Sequence, residues 1–391
     1  MNLLKISWAN VVSRPLAALL SLVLLSMAVG IISMLVLVNN QFQQQFTNNV
    51  KGIDMVLGAK GSPLQLILSS VYHVDAPTGN IPLDKAEKIL NNPLVAKKIP
   101  LSYGDSYKGY RIVGTEHTLP EKYQMQLKEG RLWEKPFEVT VGATVAKNLG
   151  LKLGDYFHSA HGLLDDTHVH DHQDFVVVGL FNESNSVGDQ LILTAQESVW
   201  NIHAHDGEEA PKEITAMLVK FRSPLGMVQI PRMINEQTAM QAALPSIEVN
   251  RLFEQMGLGI FTLQLIAFGI MLVSGISVFI ALFNSLRERK YELALMRSMG
   301  GSQGQLFMLM LMEGLFLVII GWLLGTLLSR FGIYLLNNYL SDNFHYNLSA
   351  LQWVKEEWYL LGACLLLGVF AALIPAIQAA RTDIANTLSE G

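Results

Sequence analysis

Leu16 to Val38 reads LAALLSLVLLSMAVGIISMLVLV, a run without a single charge. About 20 such residues are enough to carry a helix across the ~30 Å hydrocarbon core of a bilayer. The charge-free stretch extends further, from Pro15 to Val50. The apolar region of a cleaved signal peptide is only about 7 to 15 residues long, so an uncleaved anchor is expected.

Three more windows of this kind follow. Gln255 to Leu286 carries no charge, Gly314 to Ser329 is bounded by Glu313 and Arg330, and Trp358 to Ala380 is again uncharged. The spans are placed at 16–38, 258–285, 305–336 and 358–380, with Glu313 and Arg330 expected to snorkel at opposite interfaces. The chain as a whole is 50% hydrophobic and 16% charged, which suits membrane spans joined to a water-soluble part. A net charge of −5 with no long basic run excludes a nucleic-acid binder. The single cysteine, Cys364, excludes an internal disulfide.

Lysine and arginine in short flanking segments set the orientation. Lys5 and Arg14 precede the first span, Arg287, Arg289, Lys290 and Arg297 follow the second, and Arg381 follows the fourth. The 337–357 loop has only Lys355 against Asp342, Glu356 and Glu357. The lead-in (1–15), the 286–304 loop and the tail (381–391) are therefore expected in the cytoplasm, and 39–257 outside it.

Beyond Val38 the chain continues as uncharged NNQFQQQFTNN, with Phe42 and Phe46 one helical turn apart, and Leu252, Phe253 and Met256 form a similar stripe before the second span. The spacing predicts a two-helix stalk. Between the stalk helices, short β-like runs (Tyr110–Val113, Glu138–Val141, Phe175–Leu180, Gln190–Leu193, Met217–Phe221) alternate with helical ones (Leu83–Leu90, Ala143–Leu149 closed by Gly150). The fold class expected is a multi-pass α-helical membrane protein with four spans and an α+β extracytoplasmic domain on a two-helix stalk. No local catalytic signature occurs in that domain, so an enzyme is not expected.

His158, His161, His168, His170 and His172 cluster in one stretch interleaved with Asp165, Asp166, Asp171 and Asp174, and His203 and His205 follow. Imidazole with carboxylate suits zinc or a similar divalent ion, a polar hairpin needs no ligand at all, and histidine also senses pH. All three readings stay open.

After the second span, Leu286, Leu293, Met296 and Met299 recur at near-helical spacing while Arg287, Glu288, Arg289 and Lys290 face elsewhere, which predicts an amphipathic helix along the inner membrane surface. Gly300 and Gly301 end it, and Ser302 with Gln305 is placed to cap the next helix. Gly321 and Gly325, in small-xxx-small spacing, are candidates for close helix packing, including contact with a second chain.

The run RERKYELALMRSMGGS (287–302), followed by Glu313-Gly314 and the glycines at 321 and 325, resembles the FtsX/MacB family of ABC-transporter permeases. So does IPAIQAARTD (374–383) with Leu388, where the proline is expected to end the fourth helix. Leu3 to Pro15 is similar to the family's lead-in, and VGATVAKNLGLKLGD (141–155) with FVVVG (175–179) to the core of its periplasmic domain. Two departures stand out: the histidine-rich insertion, and GAKGSPLQ (58–65), which is unlike the drug-exporting members.

The resemblance implies a type VII ABC system, in which two permease chains, identical or not, work with separate cytoplasmic ATPase subunits and move a stalked outer domain. It implies a coupling helix at 286–299, with Arg287, Glu288, Arg289 and Glu292 meeting the ATPase. No Gly-x-x-x-x-Gly-Lys-Ser/Thr cradle occurs in the chain, so ATP and Mg²⁺ are expected on the partner and no cofactor on this chain, zinc excepted. Export, lipoprotein handling, divalent-metal handling and control of a periplasmic enzyme are the functional alternatives.

Overall fold

The computed structural model describes residues 6–7, 9–10, 15–74, 76–161, 174–202, 211–344 and 348–381. They form two compact units, residues 44–255 and residues 1–43 with 256–391. The first helix, α1 (Pro15–Val50), runs unbroken through the polar segment after Val38.

The unit of residues 44–255 begins with β1 (Met55–Ala59), α2 (Pro63–Ser70), β2 (Ile81–Pro82), α3 (Leu83–Leu90), β3 (Val95–Tyr107), β4 (Tyr110–Thr115) and α4 (Thr118–Lys122). It continues with β5 (Leu127–Gly130), β6 (Glu138–Val141), α5 (Ala143–Leu149), β7 (Tyr156–Phe157), β8 (Ala160–His161) and β9 (Phe175–Phe181). A 3₁₀ turn (Val187–Gln190) leads into β10 (Ile192–Thr194), α6 (Gln196–Ile202), β11 (Glu213–Ile214), β12 (Ala216–Phe221), α7 (Pro224–Gln237) and β13 (Met240–Ala243). Gln190 belongs to the turn, so the strand expected from 190 starts later. Its neighbour Asp189 holds the turn, accepting hydrogen bonds from Ser184 N and Ser184 Oγ.

One mixed sheet carries the domain, in the order β13-β1-β12-β3-β4-β10-β6-β9-β5, with β7 added to β9 and β8 to β3; β2 and β11 pair separately. Period-two alternation separates its faces. Val56, Leu101, Val113 and Leu218 enter one core with Leu66, Ile67 and Trp133. Met55, Leu57, Met217 and Val219 enter another with Ile230 and Ile234 of α7. Each such side chain taken out of water contributes roughly 1.5–3 kcal/mol before chain entropy is counted.

GAKGSPLQ has a local explanation. Lys60 Nζ donates to the carbonyls of Asn235 and Thr238 at the end of α7, both at 3.2 Å. Ser62 caps α2, accepting from Gln65 N, with Pro63 in the first turn. Helix α5 closes as the sequence predicts, because Gly150 takes the left-handed conformation (φ 67°).

Among the described residues four helices are long and apolar enough to cross a membrane: α1, α8 (Pro245–Glu288), and, after the short α9 (Lys290–Ser298), α10 (Gln303–Phe344) and α11 (Lys355–Ala380). In the unit that contains 256–391, Val278, Leu282, Leu309, Leu317 and Ala372 form one buried cluster. Leu25, Val29, Met271, Val318 and Cys364 form another. Pro375 lies inside α11, which runs on to Ala380, so the proline does not end this helix as expected. A proline in a spanning helix is tolerated where neighbouring groups re-satisfy the carbonyl it frees. The polar stretches before and after the spans are helical too: α8 starts at Pro245 and carries Phe253, and α1 carries Phe46. In the unit of residues 44–255, Phe46 meets Phe253 edge-on at 5.6 Å and Tyr72 at 4.4 Å.

Candidate functional site

The loop that follows α8 is built around one arginine. Arg289 leaves helical geometry (φ −110°, ψ 12°) between α8 and α9 and turns its side chain inward, where 7% of it remains exposed. Its Nε donates to Glu292 Oε2 at 3.0 Å and its Nη1 to Glu313 Oε1 at 3.1 Å, so one guanidinium ties the junction to both α9 and α10. Glu313 Oε1 also accepts from Asn10 Nδ2 at 2.5 Å, and Ser7 Oγ donates to the Leu309 carbonyl at 3.3 Å. Leu286, Leu293, Leu306, Leu309 and Met310, close in sequence to these groups, belong to one buried apolar cluster. A buried charge left unpaired costs several kcal/mol, which the close pairing offsets.

The coupling residues read from the sequence thus separate. Arg287, Glu288 and Glu292 are exposed, while Arg289 is buried and does not belong to the outward face. The periodicity groups it with its charged neighbours; the break at the junction and a partner 24 positions away turn it in. Met299, assigned to the apolar stripe, is 73% exposed. Ser302 and Gln305 form the expected reciprocal cap of α10: Ser302 N donates to Gln305 Oε1 (2.9 Å) and Gln305 N to Ser302 Oγ (3.2 Å).

A second ion pair lies further along α10. Arg330 Nη2 donates to Glu357 Oε2 at 2.8 Å, and the Glu357 side chain, 1% exposed, also accepts from Ser33 Oγ at 2.7 Å. Ser33 Oγ lies 3.1 Å from Ser329 Oγ, and Arg330 sits 5.1 Å from the Trp353 ring centroid. Neither Glu313 nor Arg330 snorkels, a correction with a physical cause: both face other helices, and an opposite charge waits there. Asn10 and Ser33 escaped the sequence reading, and Glu357 counts there only as a loop charge. The signal that could have found them is the rule that a charge inside a span needs a partner.

Gly321 and Gly325 serve packing inside the chain. A Cβ on Gly321 would come within 2.6 Å of Leu25 Cδ2, and one on Gly325 within 2.6 Å of Val29 Cβ, so α1 and α10 approach through these two positions. The face considered for a second chain is therefore taken by α1.

Of the histidines, His158 pairs with Asp174, Nδ1 to Oδ1 at 2.9 Å. His161 lies in β8 opposite Asp105 of β3. His168, His170, His172, His203 and His205 lie outside the described residues. Among the described residues no group of three or more metal-ligating side chains converges.

Two groups in the unit of residues 44–255 were not singled out by sequence. His73, buried with φ 57°, faces the Tyr103 hydroxyl at 2.7 Å from Nδ1, and burial, with Arg111 and Lys122 nearby, holds its pKa well below the histidine range. Glu138 accepts from both Nη1 and Nη2 of Arg131 (2.7 and 2.6 Å), which brings its carboxyl down to about 2.

Residues 18–236, more than half of the chain, match the MacB-like periplasmic core domain, and residues 265–384 match the FtsX-like permease C-terminal region. No curated protein matches the chain. Among solved structures, the periplasmic region of MacB from Actinobacillus actinomycetemcomitans is similar at 13% identity and a TM-score of 0.37, covering 54% of this chain and 98% of that one. The extracellular domain of the noncanonic ABC-type transporter YknZ from Gram-positive bacteria is similar at 12% identity and a TM-score of 0.32, covering 48% and 98%. The chain belongs to the family of FtsX-like permeases that carry a MacB-like periplasmic core domain.

Proposed function

We propose that the chain couples ATP hydrolysis in a separate cytoplasmic ATPase subunit to movement of its own periplasmic domain, working as one of two permease chains in a bacterial inner membrane. Both termini and the 286–304 loop lie in the cytoplasm in this reading. The observation that carries it is the inward anchor of Arg289. The junction that presents Arg287 and Glu288 from the end of α8 and Glu292 from the first turn of α9 to a soluble partner is bonded through Arg289 to Glu313 of a spanning helix. Force on α9 then has a polar, close-range path into α10 rather than a flexible one.

The test is charge reversal of Arg287 and Glu292, both exposed, in the full chain purified with its ATPase. Permease-stimulated ATP turnover is expected to fall to the level of the ATPase alone, with membrane insertion intact. Undiminished stimulation would sink the coupling role.

A second reading adds zinc at the histidine-rich segment. It is favoured by the His158–Asp174 pair, because a carboxylate on one ring nitrogen fixes the tautomer and leaves the other nitrogen for a metal. Zinc titration of the full chain decides it: heat that survives replacement of His168, His170 and His172 by alanine removes those residues from any site.

A further inference from the structure

We infer that the unit of residues 44–255 binds a small phosphate-type oxyanion in a lysine-lined pocket at the C-terminal end of α1. The pocket measures about 200 Å³. Four lysines line it, Lys51, Lys97, Lys122 and Lys220, and Glu121 is the one acidic residue among the lining.

The arrangement is built by the fold. Lys97 of β3 and Lys220 of β12 are direct register partners on adjacent antiparallel strands, so two like charges stand opposite each other over the same pocket. Such a cross-strand pair is unfavourable by a few tenths to about 1 kcal/mol unless an anion sits between the charges. Thr118 also lines the pocket.

Lys122 links the pocket to α1. Its Nζ donates to the carbonyl of Asn49 in the last turn and lies 3.5 Å from the Tyr123 ring centroid. The C-terminal end of a helix carries roughly half a negative charge, which opposes an anion; Lys122 meets it, and Lys51, Lys97 and Lys220 still outweigh Glu121. Burial pushes the Lys122 amine down to about 7, so an anion arriving beside it would draw a proton onto it. Binding therefore changes the contact that holds the end of α1.

The shared chemistry is a dianionic phosphate, carried by a free phosphate compound or by a phospholipid headgroup. Calorimetry on the full chain in a neutral maltoside detergent separates the two, with inorganic pyrophosphate in one arm and soluble dihexanoyl phosphatidate in the other. Saturable heat from at least one probe is expected, and the arm that gives it names the source. The double substitution K97Q/K220Q should weaken binding at least about tenfold, the effect of losing two favourable charges near the ligand. K51Q should weaken it less. At pH 8 the heat should depend on the buffer's ionisation enthalpy, and K122M should remove that dependence. No saturable heat from either probe overturns the site, as does undiminished affinity in both K97Q/K220Q and K51Q. The proposal does not depend on ATPase coupling, because the titration contains no ATPase and no nucleotide.

Discussion

Arg289 donates to Glu313 at 3.1 Å with both side chains withdrawn from solvent, 7% and 3% exposed. The pair joins the start of α9 to a spanning helix, and the Arg330–Glu357 pair, buried on its glutamate side, joins that same helix to α11. Helix α10 thus has a charge clamp toward each end and glycines between them.

Breaking the first clamp on one side should destabilise strongly. Arg289→Met takes the counter-charge from the buried Glu313 carboxylate, which keeps its bond from Asn10 Nδ2, and is expected to cost up to about 3–5 kcal/mol. Adding Glu313→Leu removes the uncompensated charge and should recover part of that loss. Unfolding in detergent checks both, and equal stability of the single variant and the parent would refute the clamp.

Close helix approach at the glycines gives a steric prediction. Gly321→Leu drives a side chain into Leu25 and should cost about 1–3 kcal/mol or more. Leu25→Ala in the same chain should return part of it. An unaffected Gly321→Leu melting temperature would show that α1 does not pack there.

His73 predicts acid sensitivity. Its folded pKa lies below the ordinary 6.5, so above that pH both states are neutral and nothing changes. As pH falls below about 6.5 the unfolded chain takes a proton that the folded chain resists, and stability drops by up to about 1.4 kcal/mol per pH unit. The carboxyl of Glu138 acts lower, between its ordinary 4.5 and about 2, where protonation removes its bonds to Arg131. His73→Asn, which tolerates the left-handed backbone, should flatten the slope between pH 6.5 and 5 and leave the lower window alone. Unfolding midpoints across pH 3 to 8 measure both.

Much of this architecture is legible because its signals are local. A bilayer demands a long apolar run, and Leu16–Val38 supplies one; Gly150 ends a helix by its own conformational freedom. Phe46 and Phe253, read as stripes on two helices, meet ring to ring within one unit. What stayed hidden depends on distant partners. Strand β3 carries Pro100 and Gly104 and is recognisable only through the strands on either side of it. Arg289 looks like a surface charge until Glu313 is placed beside it. Lys97 and Lys220 sit more than a hundred positions apart and become a pair only through strand register.

The last prediction concerns which side each unit faces. Cys364 is buried and is the chain's only cysteine, so Cys364→Ala gives a clean background for single reporters. Tyr156, in the unit of residues 44–255, is 69% exposed, and Met299, just after α9, is 73% exposed. With a membrane-impermeant maleimide on cells whose outer membrane alone is permeable, Tyr156→Cys should label at once. On the proposed orientation Met299→Cys should label only after the inner membrane is opened, because loops rich in arginine and lysine, as 287–297 is, stay on the cytoplasmic side. The reverse pattern would place α9 outside, beyond reach of any cytoplasmic ATPase, and the proposed coupling would fail with it.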